Sequence, residues 1–143
     1  MTEPVPVEIS TDPSRFDLDV IHGYLARSYW AAGIPRETVE RSIEGSLCFG
    51  AFDGDRQIGF ARVITDRATF AYLADVFVLE GFRGRGVATR LMEAIAAHPE
   101  LQNLRRWLLV TRDAHALYAK FGFRPLEKAE RHMEKVLPNA YRG

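Results

Sequence analysis

The sequence predicts a mixed α/β fold with a mostly antiparallel central sheet flanked by helices, because its two halves carry different patterns. Between residues 47 and 79, three strand-like runs follow one another with only short turns between them, which is typical of an antiparallel meander. Beyond residue 83, runs with helical spacing alternate with short apolar runs, which indicates a β-α-β-α arrangement. Because 143 residues is the size of one domain, we expect a single domain over residues 1–143.

The first 45 residues predict one strand and two helices. Polar and apolar residues alternate over residues 5–9, as in a strand. Residues 16–30 carry apolar side chains at helical spacing and follow the turn and cap residues 12–14. The run Gly33-Ile34-Pro35 interrupts this pattern. Pro35 suits the first turn of a second helix, which we expect to stop near Gly45.

The three strands of the meander are separated by two short turns. Residues 47–52 end at Asp53-Gly54, a strong signal for a tight hairpin. Residues 57–65 return across that turn, and residues 69–79 run out again. This last run is apolar on both faces except at Asp75, which is typical of a strand covered on both sides. We therefore expect it to be a central strand that is covered on both sides.

The second half predicts two more helices and further strands. A helix spans about residues 84–97, a short strand follows at 106–111, and another helix covers about 113–121. Residues from Phe123 onward, and then 131–137, supply the last strands of this prediction. The sheet is then antiparallel at first and parallel near its third-last strand.

Composition excludes several classes of protein. Lys and Arg together number 19, as do Asp and Glu, so the net charge is zero and predicts neither a nucleic-acid nor a membrane partner. The single cysteine, Cys48, excludes an internal disulfide and a cysteine-rich zinc site, and no metal is expected. No apolar run is long enough to span a membrane, and no secretory signal is visible, so we expect a cytoplasmic protein.

The segment that joins the third meander strand to the next helix predicts an anion site. Gly84 and Gly86 lie where the helix begins, and glycine lets a ligand approach the backbone closely. The first N–H groups of a helix lack partners and carry partial positive charge, which suits a phosphate. Arg83 and Arg85 add charge at the same place. The segment therefore predicts a cradle for a pyrophosphate.

Two nucleotide motifs fit this segment less well. Gly81 and Gly86 have the outer spacing of a P-loop, but Val87-Ala88 stands where Lys-Ser/Thr is required. The run Gly84-x-Gly86-x-x-Thr89 lacks the third glycine of a dinucleotide fingerprint, and the strand before it follows an antiparallel meander. Taken by itself, the segment also fits a glycine-containing strand–helix turn that binds no ligand and whose arginines are solvated.

A second motif joins the first and points to a family. The run Arg83-Gly84-Arg85-Gly86-Val87-Ala88 precedes Leu117-Tyr118-Ala119-Lys120-Phe121-Gly122-Phe123, one strand–helix unit later. Each motif alone is weak, but together and in this order they resemble the GNAT superfamily of N-acetyltransferases. The resemblance covers about residues 47–123 and implies a GNAT-like fold and acetyl-CoA as the cosubstrate.

The resemblance also implies where acetyl-CoA binds. In the family, a strand pairs its backbone with the pantetheine arm, a backbone N–H near Val78 polarises the thioester carbonyl, and a tyrosine, here Tyr118, protonates the departing thiolate. Thr111 stands where the family often has an asparagine that contacts the cofactor, which puts that contact in doubt. The implied cofactor-binding residues are Val76, Phe77, Val78, Arg83, Gly84, Arg85, Gly86, Val87, Ala88 and Thr111.

The acceptor side is less defined by the resemblance. The family transfers the acetyl group directly to an amine, without an acyl-enzyme. Asp75, a lone charge in an apolar strand, is the leading candidate to bind the ammonium and take its proton, with Tyr72 as a weaker one. Asp75 could equally be bonded to a neighbouring loop or arginine. Tyr29 and Trp30 complete the expected substrate-binding set, although such aromatic residues also pack in cores.

The sequence therefore predicts an acetyl-CoA-dependent N-acetyltransferase for a primary amine of a small molecule or peptide. A non-catalytic acetyl-CoA-binding sensor is the alternative: Tyr118 and the intact junction favour the enzyme, and the Thr111 substitution mildly favours the sensor. Homodimers are common among members of the family, so a homodimer is possible here.

Overall fold

A computed structural model describes residues 6–141, and in it five strands form one sheet in the order β1-β2-β3-β4-β5. The strands are β1 Glu8–Ser10, β2 Leu47–Asp53, β3 Arg56–Thr65, β4 Phe70–Val78 and β5 Arg106–Leu109. The first four pair antiparallel, and β5 pairs parallel to β4. The prediction of a mixed, mostly antiparallel sheet is confirmed, as is the meander of β2, β3 and β4.

Helices cover both faces of this sheet. They are α1 Leu18–Arg27, α2 Arg36–Glu44, α3 Val87–Ala97 and the short α4 His115–Ala119. Phe49 and Leu91 belong to one buried cluster, in which the sheet packs against α3. Cys48 and Phe60 belong to the other, in which the sheet packs against α1 and α2. Neighbouring strand residues such as Cys48 and Phe49 thus point to opposite layers, because side chains alternate along a strand.

The helices are shorter than predicted, and the residues before their first turns show where three of them begin. α1 begins at Leu18 because the Asp17 side chain accepts a hydrogen bond from the Val20 N–H. Pro35 is the cap of α2 rather than a residue of its first turn. α3 begins three residues later than the prediction, after Gly84 and Gly86 in left-handed conformations.

The ends of the chain differ most from the prediction. Residue 5, where the first strand was expected to begin, lies outside the described residues, and β1 covers Glu8–Ser10. The expected strands from Phe123 onward and at 131–137 are wrong: the described residues beyond Leu109 form no strand. As a strand, 131–137 would place Met133 and Val136 on opposite faces, each beside charged residues, so neither face could bury an apolar row. In the structure Met133 is 98% exposed.

Two irregularities open the sheet beside β4. The register of β3 on β4 passes from Arg62 opposite Ala74 to Phe60 opposite Phe77, so a bulge falls at Asp75 and Val76. β5 pairs only with Phe70–Leu73, which leaves the second half of β4 without a neighbour on that side. The resulting gap between β4 and β5 positions the site.

No helix within residues 6–141 is both long and apolar enough to cross a membrane.

Candidate active site

A cleft of about 1150 Å³ lies between the α1–α2 connection and the splayed ends of β4 and β5. It exists because β5 stops at Leu109 and the chain turns away before α4. Many of the residues that the sequence predicted for the site line this cleft. They are Tyr29, Trp30, Tyr72, Asp75, Val76, Arg83, Thr111 and Tyr118.

The other predicted residues lie outside the lining of the cleft. Phe77 is buried and stacks on Tyr24, with ring centroids 4.1 Å apart, so only its backbone could face a ligand. The Val87 side chain is buried in the core against the sheet. The remaining ones are Val78, Gly84, Arg85, Gly86 and Ala88, at the end of β4 and the start of α3.

The start of α3 presents a row of N–H groups without protein acceptors. The first helical bond is from the Arg90 N–H to the Gly86 carbonyl at 3.0 Å. Among the described residues, no acceptor is found for the N–H groups of residues 84–89. A Cβ built on Gly84 or Gly86 would meet no atom within 4 Å, so the space over this row is open. Such a row, at the positive end of a helix, suits a phosphate.

The two arginines of this junction lie differently. The Arg83 guanidinium turns back, donating to the Val78 carbonyl at 3.2 Å and to the Tyr24 hydroxyl at 2.7 Å. The Arg85 guanidinium lies 5.6 Å from the centroid of the Phe82 ring, on the exposed side of the junction. The positive charge beside the N–H row therefore comes from Arg85 and from the helix terminus, while Arg83 connects the end of β4 to α1.

The backbone of Val78 faces the gap between β4 and β5. The next N–H, of Leu79, donates to the Ile58 carbonyl of β3 at 2.8 Å. Because successive backbone groups of a strand point to opposite sides, we expect the Val78 N–H to point away from β3. The Val78 carbonyl does so, since it accepts from Arg83. The oxyanion role that the sequence analysis assigned to the Val78 N–H stays a prediction.

Tyr118 reaches the cleft from α4. It is 8% exposed, and its ring packs edge-on against Phe123 at 6.1 Å. Burial raises the pKa of the Tyr118 hydroxyl above its ordinary value, and Tyr29 and Asp113 raise it further. The phenol therefore stays protonated at neutral pH and can donate a proton.

The loop before α4 shows what Thr111 does. Its hydroxyl oxygen accepts from the Ala114 N–H at 3.1 Å and so holds the turn that leads into α4. The hydroxyl proton remains able to donate to a ligand. Next to it, the Arg112 guanidinium lies 3.9 Å from the centroid of the Tyr29 ring. Arg112 is a cleft residue that the sequence analysis missed, and no local pattern indicates it.

Asp75 has its two carboxylate oxygens engaged. Oδ2 accepts from Arg62 Nε at 2.8 Å, and Oδ1 accepts from Trp30 Nε1 at 2.8 Å. Asp75 also has a φ of 55°. That left-handed conformation costs a non-glycine residue roughly 1–2 kcal/mol. The observed contacts match the alternative in which Asp75 is bonded to a neighbouring arginine. That Asp75 takes the proton of the ammonium stays a prediction.

Arg62 is the second residue that the sequence analysis missed. A signal was present, because Arg62 is the only charge between residues 57 and 65, on the strand next to that of the equally isolated Asp75. Two lone opposite charges on paired strands indicate a cross-strand ion pair.

The thiol of Cys48 and the grouping of potential metal ligands can also be described. Burial raises the pKa of the Cys48 thiol to about 12, so the reactive thiolate is scarce at neutral pH. Within residues 6–141, no three His, Cys, Asp or Glu side chains are grouped so that they could hold a metal ion.

Comparison with known proteins agrees with this geometry. Residues 44–125 match the family described as an acetyltransferase (GNAT) domain. A Gibberella zeae protein named "putative acetyltransferase" is 32% identical over 136 residues, covering 78% of this chain and 75% of that protein.

Solved structures show the same fold. A Xanthomonas campestris pv. campestris crystal structure, described as "a putative acetyltransferase belonging to the gnat family", is 51% identical, with a TM-score of 0.93. The match covers 96% of this chain and 98% of that one. A Clostridium acetobutylicum structure described as containing acetyl-CoA is 14% identical, with a TM-score of 0.67, and covers 92% of this chain and 96% of that one.

Proposed function

The chain belongs to the GNAT acetyltransferase family, and from that premise we propose that it is an acetyl-CoA-dependent N-acetyltransferase for a primary amine of a small molecule or peptide. One observation carries the proposal. The N–H groups of residues 84–89, which lack acceptors among the described residues, follow directly on Arg83, and Arg83 lines the same cleft as Tyr118.

The residues present fit acetyl-CoA. The N-terminus of α3 and Arg85 would hold its pyrophosphate, where a Cβ on Gly84 or Gly86 meets only open space. The free edge of β4 at Val76 would pair with the pantetheine arm, as a further strand would. The Val78 carbonyl already accepts a hydrogen bond from Arg83, and the Val78 N–H is left for the thioester. That the Clostridium acetobutylicum structure is described with acetyl-CoA supports this choice of cosubstrate.

Two groups of this chain would act on the reacting atoms. When bound, acetyl-CoA supplies the activated acetyl group as a thioester. The Val78 N–H would donate a hydrogen bond to the thioester oxygen as negative charge develops there. The Tyr118 hydroxyl would give its proton to the departing sulfur. These roles are complementary, because one lowers the barrier to attack and the other to departure.

The acceptor amine would enter on the aromatic side of the cleft. Tyr29, Trp30 and Tyr72 line it there. Aromatic faces attract an ammonium group, and because the Arg112 guanidinium already lies 3.9 Å from the centroid of the Tyr29 ring, Trp30 and Tyr72 would provide them. Asp75 adds a negative charge nearby, but both of its oxygens already accept hydrogen bonds. We propose that Asp75 contributes charge and position on this side, and that water completes the path of the ammonium proton.

The proposal is tested by following free thiol as acetyl-CoA is incubated with the protein and a panel of primary amines. We expect thiol release that depends on both an amine and the protein, with one acetylated amine formed per thiol. Acetyl-CoA binding without thiol release from any amine would contradict the enzyme and favour the sensor. Thiol release that is independent of amine would indicate simple hydrolysis and would also contradict it.

A further inference from the structure

We propose that Arg62 is a positioning residue for this reaction, acting through Asp75 on the bulge of β4 and on the aromatic side of the cleft. The inference rests on the proposed function and extends it to a residue outside the family motifs. The observation behind it is one connected set of contacts that joins β3, the bulge and the α1–α2 connection.

The backbone conformation at the bulge must be stabilised by neighbouring side chains. Asp75 is not glycine, yet its φ is 55°, a conformation that persists only where the surroundings fix it. Arg62 and Trp30 each take one oxygen of its carboxylate at 2.8 Å. The side chains of Arg62 and Asp75 are 17% and 10% exposed, so water competes weakly for this ion pair. Arg62 is itself held by the Ser46 hydroxyl, to which its Nη1 donates at 3.1 Å.

The position of the bulge decides what the cleft can bind. Val76 follows Asp75 directly, and Val78 lies two residues further on, so a rotation at the bulge would re-aim both of their N–H groups. These are the groups proposed to pair with the pantetheine arm and the thioester oxygen. On the other side, the bond from Trp30 to Asp75 sets the place of an indole that lines the acceptor end.

We expect different kinetic effects from loss of the Arg62–Asp75 contact and from loss of the Trp30–Asp75 contact. Loss of Arg62 should disturb the bulge and so both acetyl-CoA affinity and kcat, because small misplacements of reacting groups reduce rates strongly. In Trp30→Phe the ion pair from Arg62 still holds Asp75 and the bulge, so the change acts on the aromatic wall of the cleft and should raise the KM for the amine. A residue that merely stabilised the fold would lower the melting temperature without producing this split between parameters.

The experiment compares Arg62→Met, Arg62→Lys and Trp30→Phe with wild type in acetyl-CoA affinity, kcat, amine KM and melting temperature. Arg67→Met is the matched control, because it removes an exposed arginine–carboxylate ion pair, to Glu100, from the turn that follows β3. We expect Arg62→Met to lose about 10- to 100-fold in kcat and to bind acetyl-CoA more weakly. Arg62→Lys should recover most of both, and Arg67→Met should equal wild type.

The pH profile separates positioning from proton transfer. In Trp30→Phe the pH dependence of kcat should keep its wild-type shape, because the change removes neither an acid nor a base and leaves Arg62 paired with Asp75. Trp30→Phe should raise the amine KM about tenfold, on the scale of one lost charge-assisted contact, and leave acetyl-CoA affinity unchanged.

The inference is overturned if Arg62→Met and Trp30→Phe both keep wild-type kinetics while wild type turns over. If Arg62→Met does not fold, Arg62→Lys and Trp30→Phe decide: wild-type kinetics for Trp30→Phe overturn the inference. A wild-type protein without amine-dependent turnover would instead end the proposed function, so the two failures are distinguishable.

Discussion

Gly86→Glu should abolish acetyl-CoA binding, weakening it by about 100-fold or more. The new carboxylate would project over the N–H row at the start of α3, where a Cβ meets no atom within 4 Å and where the pyrophosphate would lie. Two negative charges placed together cost several kcal/mol, and each loss of about 1.4 kcal/mol is tenfold in affinity. Isothermal titration of the variant with acetyl-CoA measures the effect.

Gly54→Glu is the control for this variant. Gly54 also has a positive φ, 60° against 76° for Gly86, and open space around its Cβ. Both variants should lose a similar amount of stability, roughly 1–2 kcal/mol, because a side chain is strained in this conformation. Only Gly86→Glu should lose acetyl-CoA. Wild-type affinity in Gly86→Glu would mean that the cofactor does not lie on this helix terminus.

Tyr118→Phe should lower kcat by about 10²-fold, the ordinary contribution of one general acid. The variant keeps the ring that packs on Phe123 and removes only the hydroxyl, so its melting temperature and acetyl-CoA affinity should stay close to wild type. Single-turnover measurements of thiol release isolate the step in which the proton is needed.

The pH dependence gives a second test of Tyr118. Only the protonated phenol can donate, and burial holds its pKa above the ordinary value of about 10. Turnover that depends on this proton should therefore survive through moderately alkaline pH and fall only where the phenol ionises. That alkaline fall should be missing in Tyr118→Phe. Equal kcat in wild type and variant at all pH values would reduce Tyr118 to a packing residue.

Much of the fold was predictable because local signals and long-range pairing agree. The Asp53-Gly54 turn fixes which residues of β2 and β3 face each other, and the structure pairs Asp53 with Arg56 across it. Alternation along β2 sends Cys48 and Phe49 to different layers, which the helices on each face then cover. Glycines at the α3 junction marked a place where backbone N–H groups lack acceptors among the described residues.

The remaining features of the fold and of the site depend on contacts between segments that lie far apart in the sequence. Residues 131–137 look strand-like, but a strand there would have to bury an apolar face that this segment does not have. The bulge at Asp75 breaks the register of β3 on β4 after the strands themselves are correctly placed. The hydrogen bond from Trp30 to Asp75 therefore appears only when the segments are assembled, whereas the isolated charges of Arg62 and Asp75 on neighbouring strands already indicated their ion pair.

The central claim is that the gap beside β4 and the start of α3 form an acetyl-CoA site, and one measurement tests it most directly. The melting temperature of the wild-type protein is recorded with acetyl-CoA, CoA, ATP and NADH at equal concentrations. A ligand at 100 times its Kd adds about 2.7 kcal/mol to the free energy of unfolding, which gives a clear shift. We expect shifts with acetyl-CoA and CoA alone. No shift with either would contradict the account, as would an equal shift with ATP or NADH.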